Sequence, residues 1–194
     1  MTRPHLLSRL VHWMLRFRHR CGYGIHSPFA FGFVTGVVYE RGEYYAYARL
    51  AAACPQPATP LRRKDLRLLL RLANFQRPAV CLLMGVTADG TEVRYLHAGS
   101  IATRFVSIEE GWNNPFDMVY AQGDWADRLP ALMPRLAQGG MVVVHGIARN
   151  VRSRKAWQAL TAQPQCTVSF DLRDFGIIVY RPELQLQHYV VNYF

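Results

Sequence analysis

The chain has 194 residues, of which 51% are apolar, and its formal net charge at neutral pH is +10. This length and composition predict one compact globular unit with a sizeable core, and they exclude a disordered chain. No apolar run is long enough to cross a membrane. The N-terminus also lacks the apolar stretch and small-residue cleavage site of a secretory signal, so we expect a cytoplasmic protein without a transmembrane segment.

The basic charge comes almost entirely from arginine, since only Lys64 and Lys155 are lysines. A basic balance is compatible with nucleic acid, an anionic membrane surface or an acidic substrate as partner. An arginine-rich composition inherited from a GC-rich genome explains the same charge without any partner. The charge therefore leaves the partner open.

The cysteines are few, far apart and without a C-x-x-C pair: Cys21, Cys54, Cys81 and Cys166. This pattern predicts reduced cysteines in a cytosolic protein and argues against a disulfide framework or a zinc site.

Residues 4–20 form a predicted amphipathic helix, with Leu6, Leu10, Met14 and Phe17 on one face and arginines elsewhere around it. An isolated helix of this length is marginal in water, so the apolar face needs a covering surface. The candidates are its own domain, a second copy in a homodimer, or an anionic membrane face. We expect the covering surface to be protein, either the helices after Ser27 or a dimer contact.

Three further helical segments precede the first strand. Ser27 is suited to N-cap a helix with Pro28 at its first position, and the apolar spacing continues to Tyr39. A short segment over 44–47 is also predicted to be helical, before a proline-rich loop. The stretch 61–74 is strongly amphipathic, and its basic residues are predicted to point outward: Arg62, Arg63, Lys64, Arg67 and Arg71.

The pattern that most favours a ligand site is a strand that ends in a glycine turn. Ala79–Met84 is an apolar run of strand length, Gly85 and Gly90 bound the turn, and Thr91–His97 offers a helix. Glycine lets a ligand approach the backbone, and the helix N-terminus favours an anion. Many α/β domains turn on glycine without a ligand, so the pattern alone is weak. A phosphate-binding P-loop is rejected, because Thr91-Glu92 stands where that loop needs Lys and then Ser or Thr.

Five more strands are predicted in the same sheet, the last two as an antiparallel hairpin: Thr103–Ile108, Phe116–Ala121, Met141–Val144, Cys166–Leu172 and Gly176–Arg181. Only Glu110–Pro115 separates the second strand from the third, which is too short for a usual parallel crossover. Either these two strands are antiparallel, or a helix–strand–helix unit is missing and an extended link crosses the sheet.

Two helices and a tail complete the prediction. A helix from Asp127 to Leu136 is predicted to be ended by Gly139-Gly140, and a second helix spans 153–161. The apolar, aromatic tail from Gln185 is expected to pack on the body.

This order of elements resembles the class I S-adenosylmethionine-dependent methyltransferases, which have a glycine turn after the first strand, an acid after the second and a closing antiparallel hairpin. The resemblance is closer to one uncharacterised branch of that family, common in Bacteroidetes, and it covers nearly the whole chain. The segments that carry it are Gly24-Ile25-His26-Ser27-Pro28-Phe29-Ala30-Phe31, Tyr44-Tyr45-Ala46-Tyr47, Ala156-Trp157, Thr167-Val168-Ser169-Phe170-Asp171-Leu172 and Gly176-Ile177-Ile178-Val179-Tyr180-Arg181. The resemblance implies a Rossmann-like α/β fold with a reduced, mostly parallel sheet. We divide it into an N-terminal helical extension over 1–60 and a methyltransferase-type domain over 61–194.

The resemblance also implies site residues, and most of the family's acids are replaced. The family holds the cofactor's amino group with an acid two residues before the first glycine, where this chain has Leu83. Burying an ammonium group unpaired is costly. Glu109 keeps the acid that takes the ribose hydroxyls, Gln122 replaces the aspartate after the fourth family strand, and His145-Gly146 replaces the Asp-Asp after the fifth.

The short link fits loss of the unit that supplies the loop over the adenine. The implied cofactor-binding residues are then Gly85, Gly90, Glu109 and Gln122, in a shortened and degenerate member with impaired or absent cofactor binding. Metal-dependent O-methyltransferases need acids near Gln122 and His145, so no metal is expected.

The sequence does not identify catalytic residues, and the candidates are His145 and Asp124. Neutral imidazole suits a general base near pH 7, and Asp124 could orient it. A satisfied histidine at a strand end is the commoner case.

Two functions from different classes remain. One is an S-adenosylmethionine-dependent methyltransferase-like protein with an unknown acceptor and impaired cofactor binding. The other is a non-catalytic interaction protein, a pseudoenzyme that binds a protein or anionic partner through its basic N-terminal helices.

Overall fold

The computed structural model describes residues 22–55, 59–108 and 113–193. Its helices are α1 (Pro28–Phe33, continued by a π-helical turn at Val34–Val38), α2 (Tyr45–Ala53), α3 (Arg63–Gln76), α4 (Thr91–Gly99), α5 (Leu129–Leu132, continued by a 3-10 turn at Met133–Arg135) and α6 (Val151–Thr161). Its strands are β1 (Val80–Met84), β2 (Arg104–Ser107), β3 (Phe116–Ala121), β4 (Leu136–His145), β5 (Val168–Asp171), β6 (Phe175–Val179) and β7 (Gln187–Val190). The helix predicted over 4–20 lies outside the described residues.

The described strands form one sheet in the order β2-β1-β3-β4-β6-β5-β7. Among them only β6 runs antiparallel to its neighbours, β4 and β5. Strand β4 is central, between β3 and β6, as the predicted doubly wound fold requires. One apolar cluster packs the first four helices on one face of the sheet, and a second packs α5 and α6 on the other. No helix in the described ranges is both long and apolar enough to cross a membrane.

Strands β2 and β3 are both parallel to β1 and lie on opposite sides of it. The antiparallel alternative for these two strands is therefore wrong. Strand β2 is at the edge of the described sheet, because no described strand pairs with its other side. This topology agrees with a short link that replaces a helix–strand–helix unit, although residues 109–112 of the link lie outside the described part.

The predicted helix from Asp127 to Leu136 is confirmed in part, as a short α-helix over Leu129–Leu132 and a 3-10 turn over Met133–Arg135. Pro134 cannot donate an i→i−4 hydrogen bond, and a 3-10 turn replaces the α-helix there. Strand β4 already begins at Leu136, so Gly139-Gly140 lie within a strand and do not cap a helix. The pair forms a bulge, since the step from Leu136 to Met141 faces the shorter step from Phe116 to Met118.

The basic residues of α3 do not all point outward as predicted. Arg71 is buried, and its guanidinium donates to the carbonyl oxygens of Val37 (2.7 Å) and Val38 (3.2 Å) and to the Tyr47 hydroxyl (3.3 Å). Val37 and Val38 end the π-helical turn, where carbonyls lack intrahelical donors. Arg71 supplies those donors and fixes the N-terminal helices on α3.

The C-terminal tail packs on the body as expected, and it also forms a strand that was not predicted. Strand β7 pairs in parallel with β5. Beyond it Val191 and Tyr193 are buried, and the Tyr193 hydroxyl donates to the Lys64 carbonyl (2.8 Å). The tail is thereby fastened to the first turn of α3.

Two segments that carry the family resemblance meet inside the second cluster. The Trp157 ring lies against Gly176, where any side chain would overlap it. Glycine in the middle of a strand often marks such a close approach of another group. The contact with the Trp157 ring explains why a glycine is needed at position 176.

Candidate functional site

The first glycine of the turn is required by the protein's own backbone. Gly85 has φ +70° and is exposed to solvent on its outer side. A Cβ on its inner side would overlap the backbone carbonyl oxygen of Gln122. The backbone amide of Gln122 donates to the Met84 carbonyl (3.0 Å). The structure therefore brings Gly85 and Gln122 together at the carboxyl ends of β1 and β3, and it leaves the turn open to solvent.

The second glycine closes the turn and caps the helix. Gly90 has an ordinary negative φ, donates to the Thr87 carbonyl (3.0 Å) and is the N-cap of α4. A side chain there would come within 2.9 Å of that carbonyl oxygen. Close packing, and not a positive φ, demands glycine at this position.

The carboxyl end of β1 is apolar. Leu83 is 2% exposed and belongs to the apolar cluster under the N-terminal helices. It lies in register with Ser107 on β2 and Tyr120 on β3. No group of Leu83 can compensate a cation, so the strand itself offers no anionic anchor here.

A carboxylate that the sequence analysis did not single out stands beside this turn. Glu92, in the first turn of α4, is 4% exposed, and its Oε1 accepts a hydrogen bond from the Thr59 hydroxyl. Its Oε2 lies 3.5 Å from the point where a Cβ on Gly90 would be. The signal for its burial was the helical spacing that puts Glu92 on the same face as Tyr95 and Leu96.

A second buried carboxylate, in the first turn of α3, is neutralised by an arginine. Asp65 is 3% exposed and accepts from the Arg62 backbone amide (3.1 Å), Nε (2.7 Å) and NH2 (3.1 Å). Arg62 also reaches Asp174 (3.3 Å), in the turn between β5 and β6. This ion-pair chain forms one wall of the carboxyl edge of the sheet.

Near these two carboxylates, a phenol and a side-chain amide at the end of β3 are hydrogen-bonded to each other. The Tyr120 hydroxyl donates to Gln122 Oε1 (3.0 Å). Burial raises the pKa of Tyr120 well above its usual value, and the nearby charges of Glu92 and Asp65 raise it further. Tyr120 is thus a neutral donor at physiological pH.

His145 ends β4 and is half-buried against the Phe175 ring, with 5.0 Å between ring centroids. Burial lowers the pKa of His145, while Asp174, Asp65 and Glu92 oppose that shift. The imidazole is therefore neutral at pH 7, the state that a general base requires.

Asp124 pairs with an arginine at the surface. Its side chain is 94% exposed, and its carboxylate accepts from Arg149 (3.1 Å), which also donates to the Gly123 carbonyl (3.0 Å). Within the described ranges no hydrogen bond or ion pair joins Asp124 to His145. The exposed Asp124 carboxylate pairs with Arg149, so the suggestion that Asp124 orients His145 has no support among the described contacts.

Two predictions remain untested by the geometry. Glu109, implied as the ribose-binding acid, lies outside the described residues. In the part of the chain that is described, no three His, Cys, Asp or Glu side chains lie close enough to hold a metal ion.

A groove of about 410 Å³ is lined by residues of α2, α4 and β2. Its lining includes the apolar residues Val93, Ala98 and Phe105 and the basic or polar residues Arg49, Arg94 and His97. Its lining does not include Gly85, Gln122 or His145, but it includes Ala88, so the groove borders the glycine turn.

No protein-family model matches the chain. A search of curated proteins gave no match either. Solved structures do match its fold. An O-methyltransferase from Bacillus cereus in complex with S-adenosylhomocysteine has a TM-score of 0.53 and 14% identity, over 77% of this chain and 96% of that chain. An S-adenosylhomocysteine-bound methyltransferase from Podospora anserina has a TM-score of 0.55 and 10% identity, over 93% and 97%.

A methyltransferase from Geobacter sulfurreducens has a TM-score of 0.53 and 15% identity, over 81% of this chain and 98% of that chain. Identities of this size show the fold alone. The chain thus has the Rossmann-like methyltransferase fold, a mostly parallel sheet in which the described strand β6 is antiparallel to both of its neighbours, with helices on both faces.

Proposed function

We propose that this chain is an S-adenosylmethionine-dependent methyltransferase-like protein whose cofactor site is impaired, so that it binds the cofactor at most weakly. The fold supports the first half of the proposal, because two structures of the same fold were solved with S-adenosylhomocysteine. In open α/β sheets ligands bind outside the carboxyl ends of the strands. Here that edge holds the exposed turn at Gly85.

The observation that carries the impairment is the apolar end of β1. The cofactor has an ammonium group, and the residue that would meet it in the resembling family corresponds to Leu83, which is buried in hydrocarbon. A cation brought against such a strand end loses hydration without gaining a partner. The residues at this strand end do not fit the cofactor.

The edge position of β2 supports the same conclusion. No described strand flanks β2 on its outer side. A nucleoside held there would lack the cover that an additional strand and its loop provide. We expect this exposure to lower affinity, since ligand sites normally bury most of the ligand surface.

Calorimetry with S-adenosylmethionine and S-adenosylhomocysteine tests the proposal. We expect dissociation constants above about 100 μM, a binding free energy weaker than about −5.5 kcal/mol. Low-micromolar binding of either compound that is abolished by Glu109→Ala would contradict the proposal and support an intact cofactor site.

The remaining assignments stay predictions. They are the interaction function, the homodimer contact, the absence of a metal, the cytoplasmic location and the division at residue 60. The first two depend on residues 1–21, outside the described ranges. The methyl acceptor is not identified.

A further inference from the structure

The inference concerns the groove lined by α2, α4 and β2. Its volume of about 410 Å³ is that of a small-molecule site, since such sites typically enclose about 300–1,000 Å³. Its lining also has the composition of such a site, which is mostly apolar with a few polar groups. The apolar part comes from Leu50, Val93, Ala98 and Phe105.

The apolar part of the groove follows from the edge position of β2, because no described strand continues the sheet beyond it. Phe105 on this strand packs against the apolar cluster of the first four helices, and 6.1 Å separates its ring centroid from that of His97 in α4. Phe105 is nevertheless only half-buried, with the buried side chains of Val93 and Leu50 beside it. Because the lining side chains lie mostly on regular elements, the groove is preformed, and a ligand there has little protein to order.

The charged side chains of the groove are basic, and none of its described lining residues is acidic. Arg49 is exposed, and no described residue forms a hydrogen bond or an ion pair with its guanidinium. Arg94 donates to two neutral acceptors, the Asp89 carbonyl oxygen (3.2 Å) and the Cys54 sulfur (3.9 Å). Two guanidinium groups thus border an apolar surface, and no described carboxylate pairs with either of them. A guanidinium matches the planar pair of oxygens of a carboxylate.

We propose that this groove binds a small carboxylate with an apolar body. The body lies on Val93, Ala98 and Phe105, and the carboxylate accepts hydrogen bonds from Arg49 and Arg94. The site goes beyond the proposed cofactor function and does not rest on it, because its lining includes no residue of β1, β3 or β4.

Four probes separate the charge of the ligand from its apolar body. Phenylbutyrate has both, phenylbutanol has the same body without the charge, phenylbutylamine has the same body with the opposite charge, and acetate has the charge without the body. Each probe is titrated by amide NMR into the millimolar range with the full chain and with Arg49→Gln, Arg94→Gln and Arg41→Gln. Arg41 is exposed and does not line the groove, so its replacement removes the same charge elsewhere and is the matched control.

We expect phenylbutyrate to bind the wild type with a dissociation constant of about 1 mM or lower, at least about fivefold tighter than phenylbutanol and phenylbutylamine, and acetate not to saturate. The shifts should centre on the groove lining of α4 and β2. Arg49→Gln and Arg94→Gln should each weaken phenylbutyrate about three- to fivefold, as expected for exposed ion pairs, and leave phenylbutanol within about twofold. Arg41→Gln should change neither ligand. Circular dichroism and thermal unfolding show whether each variant is folded.

The inference is overturned if phenylbutyrate does not saturate in the millimolar range, if phenylbutanol or phenylbutylamine binds as tightly, or if the shifts lie away from the groove. Unchanged affinity for phenylbutyrate in either groove variant would also overturn it. An equal loss in Arg41→Gln would show a general effect of net charge and would contradict the site as well. None of these outcomes depends on S-adenosylhomocysteine, so a failure of the proposed function is recognised separately.

Discussion

Two buried carboxylates in the first turns of neighbouring helices differ in the partners that they have. Asp65 in α3 is held by Arg62, which links it to Asp174. Glu92 in α4 is similarly buried, and within the described ranges its carboxylate accepts one side-chain hydrogen bond, from the Thr59 hydroxyl. The first carboxylate belongs to a network that fixes α3 against the sheet, and the second faces the open glycine turn.

The difference predicts that neutralising the two carboxylates will change the stability of the fold by different amounts. Breaking a compensated pair leaves a buried group unsatisfied and destabilises the fold, whereas neutralising an under-compensated charge relieves a desolvation cost. Stability measurements on matched variants can therefore test this difference before any ligand is known.

The largest effect is expected for Asp65→Asn. The variant loses the charge-assisted bonds to Arg62 and leaves that guanidinium facing Asp174 alone. We expect the free energy of unfolding to fall by about 2–3 kcal/mol in urea titrations. Asp174→Asn is the control, because its side chain is 39% exposed and its loss should cost clearly less. A loss of unfolding free energy below about 0.5 kcal/mol for Asp65→Asn would contradict the structural role of Asp65.

Glu92→Gln should have the opposite sign or no effect. Gln removes the buried charge and still accepts from Thr59, so the free energy of unfolding should stay constant or rise by up to about 1 kcal/mol. The same urea titration measures it. Destabilisation as large as that of Asp65→Asn would show that Glu92 is a structural residue.

The contribution of Lys64 to stability, next to the Arg62–Asp65 ion pair, is expected to depend on pH. Its ammonium nitrogen is buried, has no hydrogen-bond partner in the described part of the chain and lies 4.1 Å from the centre of the Tyr193 ring. Burial, followed by the charge of Arg62, lowers the pKa of Lys64 to about 8. The unfolded chain therefore binds more protons above pH 8, and the stability from this group increases as the pH rises from 8 toward 10.

Lys64→Met should remove this increase, measured as the difference between wild-type and variant unfolding free energies at pH 7 and pH 9.5. A difference that does not depend on pH would show that Lys64 titrates as in an exposed site.

The smallest effect on stability is expected for His145, whose pKa is lowered by burial and raised, by a smaller amount, by the charges of both Asp65 and Glu92. Burial lowers its pKa, so the unfolded state binds more protons between that value and the ordinary histidine pKa of about 6.5. Stability from this group is lost as the pH falls through that window, and His145→Gln should abolish the loss. NMR titration should show the His145 pKa falling further in Asp65→Asn and in Glu92→Gln. An increase in either variant would contradict the arrangement of charges described above.

Much of the sheet could be predicted from the sequence, because apolar runs of strand length are local signals. Strand β3 has the predicted bounds, Phe116–Ala121, and the central place of β4 follows from its uninterrupted valines. The helix predicted from Asp127 is α-helical only over Leu129–Leu132, because Pro134 lies in the following turn, which is a 3-10 turn. Strand β7 was missed because its inward residues alternate over only four positions.

The site was harder to predict, because its charges depend on contacts between distant segments. Arg71 was assigned to the surface by its type, but the carbonyls that bury it are 33 and 34 residues away. The sequence does not distinguish Glu92 from other acids in a first helical turn, where the helix dipole favours an acid in any case. Only its contact with Thr59, 33 residues earlier, shows that it is enclosed.

An amide NMR titration of the full chain with S-adenosylhomocysteine tests the central claim most directly, because it gives affinity and location together. The account predicts fast-exchange shifts that saturate only in the high-micromolar to millimolar range and centre on Gly85, Gly90 and Glu92. Saturation at low micromolar concentration would contradict the impaired site. Shifts confined to the groove lined by α2, α4 and β2, around Arg49, His97 and Phe105, would contradict the placement of the ligand at the glycine turn.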